Sequence, residues 1–466
     1  MQAETTTEST CSLKNARGTA DGIEPIGLPE LRKKLLERAG NWPKRVANRL
    51  FVRDAHSKIR WLDNQAALFS WVQSEIQPIR WYKNVGCVTK EEFFEHLRSA
   101  VEPFDGIEHF PHEPLLTNHY YACGVPVGPP SGKLDELVAM FGVASDLDRQ
   151  LIKSMVMTLF WGGRAGARPV FVITSDQGPG SGKTTLADVV SVLVDGSVDA
   201  SPKDDVAQLK TRLLSNDATG KRIVLIDNIK SAKFSWADFE ALVTRPVISG
   251  RGLYVGESRR PNIFNWLVTL NGISLSADIA QRSVVIKLKR TTFDATFRER
   301  VFNFAIDHRD EIISDALGAL RSIGNPTNCI TTFSRWGNWE DQVLNKLPDP
   351  QILQQTIVER QAESDDDLDE ADILREYVVF DLRANGLDPD GVSLQIDSQI
   401  AASWVNRSMG GSRLSTNTAC RKLQDLIRRG KIPQLTAHRA KDHRFYIWRG
   451  KNVRHEGVTV YLPVTD

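Results

Sequence analysis

The chain has little cysteine and no obvious way to pair it: Cys11, Cys87, Cys123, Cys329 and Cys420 are scattered over 466 residues without a C-x-x-C pair. That spacing argues against a disulfide framework and against a zinc ribbon, so a reducing cytoplasm is the expected setting. Long apolar runs are missing as well. No stretch approaches the roughly 20 apolar residues that a bilayer-spanning helix needs, which excludes a membrane partner. The opening segment, MQAETTTESTCSLKNARGTADG, lacks the apolar core of a secretory signal and reads as a disordered tail of a soluble protein. Net charge is nearly absent, since 59 Lys and Arg face 58 Asp and Glu. The overall balance therefore says nothing about partners, and only the local distribution of charge is informative. No repeat of fixed period is present either, which excludes solenoids and propellers.

A chain of this length holds more than one domain. Residues 1–28 are the tail. Residues 29–135 mix helical pattern (LPELRKKLLERAG, TKEEFFEHLRSAV) with short strand-like runs (NRLFVRD, KIRWLD), the pattern of a small α+β domain. Residues 136–318 alternate apolar strand runs with helices, as a parallel α/β sheet requires. A connecting lid and linker, 319–372, runs into the acidic ESDDDLDEAD from Glu363, which reads as a solvated linker or the start of a helix. A compact basic segment, 373–450, and a tail, 451–466, complete the chain.

Chemistry is concentrated in SDQGPGSGKTT, Ser175 to Thr185. The pattern G-x-x-x-x-G-K-[ST] would place its first glycine at Gln177, and this chain supplies Gly178 instead. The context is nonetheless that of a phosphate cradle, an apolar run (RPVFVITS) before the loop and a helical run (KTTLADVVSVLV) after it. In such a loop the backbone N–H groups around Gly178, Gly180, Ser181 and Gly182 point at phosphates. Lys183 reaches the terminal phosphates, the Thr184 hydroxyl sits on magnesium, and Thr185 closes the motif. ATP and Mg are the expected cofactors. A second run, KRIVLIDN, is an apolar strand ending in Asp227, placed to hold the same magnesium from the opposite side. Asn228 follows, where many ATPases of this kind carry Glu to orient water. Asparagine is no base, although it can hydrogen-bond a water, and Glu240 is an alternative carboxylate.

Two more elements complete an order. NWLVTLNG is an apolar strand ending at Asn271, and SADIAQRSVVIKL puts Arg282 just before a further apolar strand. The succession of phosphate loop, Asp strand, Asn strand and Arg-before-strand resembles the AAA+ ATPases, in particular the superfamily 3 and D5-type helicases of phages, viruses and mobile elements. The resemblance spans the middle 180 or so residues. It implies an α/β fold with a P-loop AAA+ core, a sensor role for Asn271, and an Arg282 that reaches the ATP of a neighbouring subunit. A homo-oligomeric ring, usually a hexamer, follows from an arginine supplied in trans.

The segment RPVISGRGLYVGESRRPNIFNWLVTLNG reads as strand, turn, strand, with Gly256 to Arg260 at the tip. In superfamily 3 helicases a hairpin at this place carries basic residues onto single-stranded DNA, which makes Arg259 and Arg260 candidate DNA contacts. At the C-terminal end, DSQIAASWVNRSMGG, LSTNTACRKLQDLIRRGKI and PQLTAHRAKDHRFYIW read as helix, helix and β-hairpin, a winged-helix order. The second helix has Ser415 as its N-cap and an apolar stripe through Ala419, Leu423, Leu426 and Ile427. From Arg407 to Arg454 thirteen Lys and Arg face two acids, Asp425 and Asp442. Arg421, Lys422, Arg428 and Arg429 are therefore expected on nucleic acid. His109, His112, His119 and Cys123 resemble a zinc set, but His-Phe-Pro-His is held extended by its proline and no second thiol completes it. The N-terminal domain has no D-x-D pair of a polymerising centre, so a primase or polymerase would be a separate partner. The resulting expectation is an ATP-dependent DNA helicase or replication-initiation motor acting on single-stranded or forked DNA. A non-unwinding DNA-binding ATPase and a nucleotide-gated assembly protein are the alternatives.

Overall fold

The computed structural model describes residues 12–19, 22–54, 58–123, 128–175, 180–201, 204–215, 217–229, 236–252, 256–270, 275–290, 294–324, 327–363, 366–408, 414–428, 430–440, 443–452 and 458–460. They form two compact units, one built from 1–228, 237–271 and 286–354, the other from 229–236, 272–285 and 355–466.

The first unit begins earlier than expected. The expectation of a disordered tail over 1–28 does not hold at residues 13–19 and 22–25, where Ala16–Thr19 pairs antiparallel with Gly22–Pro25 and Leu13 pairs in parallel with Ile79. Two anchors order this polar segment. Leu13 is buried, and the amide of the buried Asn15 donates to the Tyr82 and Val88 carbonyls at 2.8 and 2.9 Å while its oxygen accepts from the Tyr82 N–H. Next come helices Leu28–Arg38, Gln65–Trp71 and Lys90–Ala100. They pack on a four-stranded sheet in the order Ile59–Leu62, Arg49–Arg53, Lys44–Val46, Pro103–Phe104. Leu31, Leu35, Leu50, Leu68, Phe93 and Leu97 meet in the shared core. Thr89 and Glu92 close a reciprocal capping box at the start of the third helix, which fixes where it begins.

The parallel sheet has five strands: β1 (Val170–Thr174), β2 (Ser197–Asp199), β3 (Ile223–Ile229), β4 (Asn265–Leu270) and β5 (Ser283–Lys287), in the order β2-β3-β4-β1-β5. All of β1 and β4 is buried, which is why their sequences are continuous apolar runs without alternation. This order has a chemical consequence: β4 lies between β1 and β3, so its carboxyl end separates the loop after β1 from Asp227. In open parallel sheets ligands bind at that edge.

Just before β3, Arg222 is buried and ties the segment 108–112 to the sheet. Its guanidinium pairs with Glu108 at 3.0 Å and donates to the carbonyls of Pro111 and Leu159 at 3.0 and 2.8 Å. His112 accepts from it through Nδ1, 3.0 Å away. Burial first, and then the Arg222 charge, hold His112 well below the usual imidazole range, so it is neutral there. His112, His109 and Cys123 thus sit in the field of a structural ion pair, whereas the His119 ring bonds to the Thr117 carbonyl.

In the second unit a helix, Asp366–Ala384, starts inside the acidic stretch. It is followed by a strand, Ser393–Asp397, helices Ser398–Ser408 and Thr416–Arg428, and an antiparallel hairpin, Leu435–Ala440 with His443–Arg449. The strand Ser393–Asp397 pairs antiparallel with the second hairpin strand. Leu374, Leu382, Ile396, Trp404, Leu423 and Trp448 form its core. Among the described residues no helix is long and apolar enough to cross a membrane.

Candidate nucleotide site

After β1 the chain enters helix α1 (Lys183–Val192) through a turn that only glycine accommodates without strain. Gly180 and Gly182 have φ of +84° and +85°, a left-handed backbone that Cβ-bearing residues avoid. Gly182 is also the N-cap of α1, so the unpaired N–H groups and the positive dipole end of a ten-residue helix collect at this turn. They open on a cleft of about 270 Å³, lined by residues 180–185 together with Asn228, Thr269 and Leu270.

Within the cleft Lys183 is 8% exposed, and its Nζ donates to the Ser181 hydroxyl at 3.1 Å. Burial lowers its pKa and the Asp227 carboxylate partly opposes that. The Thr184 hydroxyl donates to Asp227 Oδ1 at 3.1 Å. Thr269, near the end of β4, donates its hydroxyl to the same Oδ1, and its Oγ1 accepts from the Asn228 N–H at 2.7 Å. No motif in the sequence marks Thr269. Its signal was present as the single hydroxyl within the apolar run NWLVTL, but its role depends on β4 lying between β1 and β3.

Asn228 has φ +55°. Asparagine tolerates the left-handed region far better than glutamate does, which gives a conformational reason for the departure noted at this position. Glu240 lies on the helix Ala237–Val243 and does not line the cleft. Gly178, Asn271 and Arg429 lie outside the described residues. Arg282 is held by its own helical turn, Nη1 donating to the Asp278 carbonyl at 2.6 Å and pairing with Oδ1 at 3.2 Å.

The basic hairpin differs from expectation. Val247–Gly252 pairs with Gly256–Pro261, and the strands are joined between Gly252 and Gly256. Arg259 stands opposite Ser249 and Arg260 opposite Ile248, so neither caps the turn, and Gly256 begins a strand. Alternation along the strand sends the two arginines to opposite faces. Arg259 is exposed, whereas Arg260 donates to the carbonyls of Ala218 and Lys221 at 2.6 and 2.9 Å and stacks 4.3 Å from the Phe264 centroid. Burial pushes the Arg260 pKa down to about 10. Arg260 anchors the hairpin to the body of the first unit, and Arg251, exposed and one pair from the joining segment, is the cation nearest the turn. On the helix Thr416–Arg428, Arg421 and Arg428 are exposed, while Lys422 is paired with Glu370 at 2.9 Å.

No protein-family model and no curated protein matches the chain. Among solved structures, the A form of the apo NrS-1 C-terminal region is similar at 12% identity and a TM-score of 0.49, over 90% of this chain and 98% of that one. A second apo structure of the same region gives 11% and 0.46, over 90% and 97%. An inhibitor-bound JCV helicase gives 14% and 0.27, over 41% of this chain and 54% of that one.

Proposed function

We propose that the chain is an ATP-dependent DNA helicase or replication-initiation motor of the AAA+ superfamily 3 type, working as a ring. The observation that carries this reading is the Thr184–Asp227 contact of 3.1 Å beside Lys183, at the mouth of a left-handed glycine turn. Two oxygens bound to adjacent positions of an octahedral magnesium, each about 2.1 Å from the metal, stand roughly 3.0 Å apart. Thr184 Oγ1 and Asp227 Oδ1 fit that edge, so these two residues would hold the ion. It would neutralise charge on the β- and γ-phosphate oxygens. Lys183 and the loop N–H groups bind the phosphates, and Asn228, whose backbone N–H is held by Thr269, hydrogen-bonds a water.

DNA is the partner favoured by the exposed cations: Arg259 and Arg251 on the hairpin, and Arg421 and Arg428 on the helix Thr416–Arg428. The helix, strand, helix, helix, hairpin order of the second unit suits a winged helix. In the ring, Arg282 serves a neighbour's nucleotide. Its present partner, the Asp278 carboxylate, lies one helical turn away and is largely exposed, so the pair is open to exchange for a phosphate on assembly.

The ring is tested by mixing two inactive proteins. Lys183→Ala keeps an intact Arg282, and Arg282→Ala keeps an intact loop, so hybrid interfaces recover ATP hydrolysis that neither protein has alone. Co-assembled mixtures that stay inactive would contradict a role in trans.

A further inference from the structure

The glycine turn is approached from a second side by a cation that no motif marks. β5 leaves the sheet beside β1, where the Leu288 N–H donates to the Thr174 carbonyl at 2.8 Å, and the chain continues through Lys289 to Arg290. The Arg290 guanidinium lies over Gly180: a Cβ built on that glycine would stand 3.9 Å from both Nε and Nη2. Arg290 is itself exposed. A guanidinium at that distance from the loop backbone is within one side-chain rotation of any polyphosphate seated on the loop's N–H groups. Its planar fork can then take two phosphate oxygens at once, which the point charge of Lys183 cannot.

We propose that Arg290 binds the polyphosphate of the nucleotide on its own subunit's loop, complementing Lys183 in cis as Arg282 does in trans. The proposal rests on the ATP-site reading above. It makes the site a three-cation clamp in which two cations come from the chain that holds the nucleotide.

The test is a titration of the full chain with fluorescent ADP and ATP in magnesium, using wild type, Arg290→Gln, Arg290→Lys and Lys183→Ala, each checked by its melting curve. Losing a charge-assisted bidentate contact weakens both nucleotides by about ten- to a hundredfold, with Arg290→Lys in between. Adenosine, which has no phosphate, competes equally against wild type and Arg290→Gln. In hydrolysis assays at ATP concentrations that leave Arg290→Gln unsaturated, a co-assembled mixture of Arg290→Gln with Lys183→Ala gains no activity over its two components, because both lesions act on the subunit that carries them. Wild-type affinity in Arg290→Gln alongside a loss in Lys183→Ala would overturn the proposal and leave the ATP site standing. Recovery in the mixture would overturn the cis assignment. A wild-type chain that binds neither nucleotide would overturn the ATP-site reading itself.

Discussion

Lys183→Ala is expected to lower ATP hydrolysis by about a hundredfold or more while leaving the fold intact. Lys183 begins α1 and faces the cleft from a position that is 8% exposed. In such a water-poor setting a cation aimed at developing negative charge is worth far more than in solvent, and removing one preorganised contact of this kind typically costs about 10²–10³ in rate. Alanine is a good helix former at that position and does not disturb the glycine turn. Phosphate release in Mg-ATP, with the melting temperature measured beside it, checks the expectation. An unchanged rate in a folded variant would remove the site from the cleft.

The second large effect concerns stability. Arg222→Leu leaves Glu108, 2% exposed, without its ion-pair partner and strips the donors from the Pro111 and Leu159 carbonyls. Breaking a buried pair from one side costs about 3–5 kcal/mol, because the remaining charge stays desolvated. The melting temperature should fall by something on the order of 10 °C, and adding Glu108→Leu should recover part of it. Equal stability of Arg222→Leu and wild type would show that the pair does not hold segment 108–112 to β3. The damage should extend to hydrolysis, since β3 carries Asp227.

Local signals in the sequence reached far into this site. Gly180, Gly182, Lys183 and Thr184 were recognisable because a left-handed turn opening a helix leaves a glycine pattern, and Asp227 because it ends an apolar run. What stayed hidden depends on which strand lies beside which. Thr269 acquires its role from the insertion of β4 between β1 and β3, and Arg290 from the exit of β5 next to β1, and neither neighbour relation is written in chain order. The hairpin was legible as a hairpin, but the assignment of its tip shifted the turn by several residues, and with it the faces on which Arg259 and Arg260 stand. The strands at residues 13–19 and 22–25 are hidden in the sequence for a similar reason: one leucine and one asparagine fix segments whose average composition is that of a tail.

If nucleotide hydrolysis drives strand separation, as proposed, it is read out by the displacement of a labelled strand from forked DNA. Wild-type protein with magnesium and ATP should release the strand, and neither a non-hydrolysable ATP analogue nor Lys183→Ala should support release. A protein that hydrolyses ATP and binds the fork, yet displaces no strand, would contradict the claim and identify a DNA-binding ATPase that does not unwind.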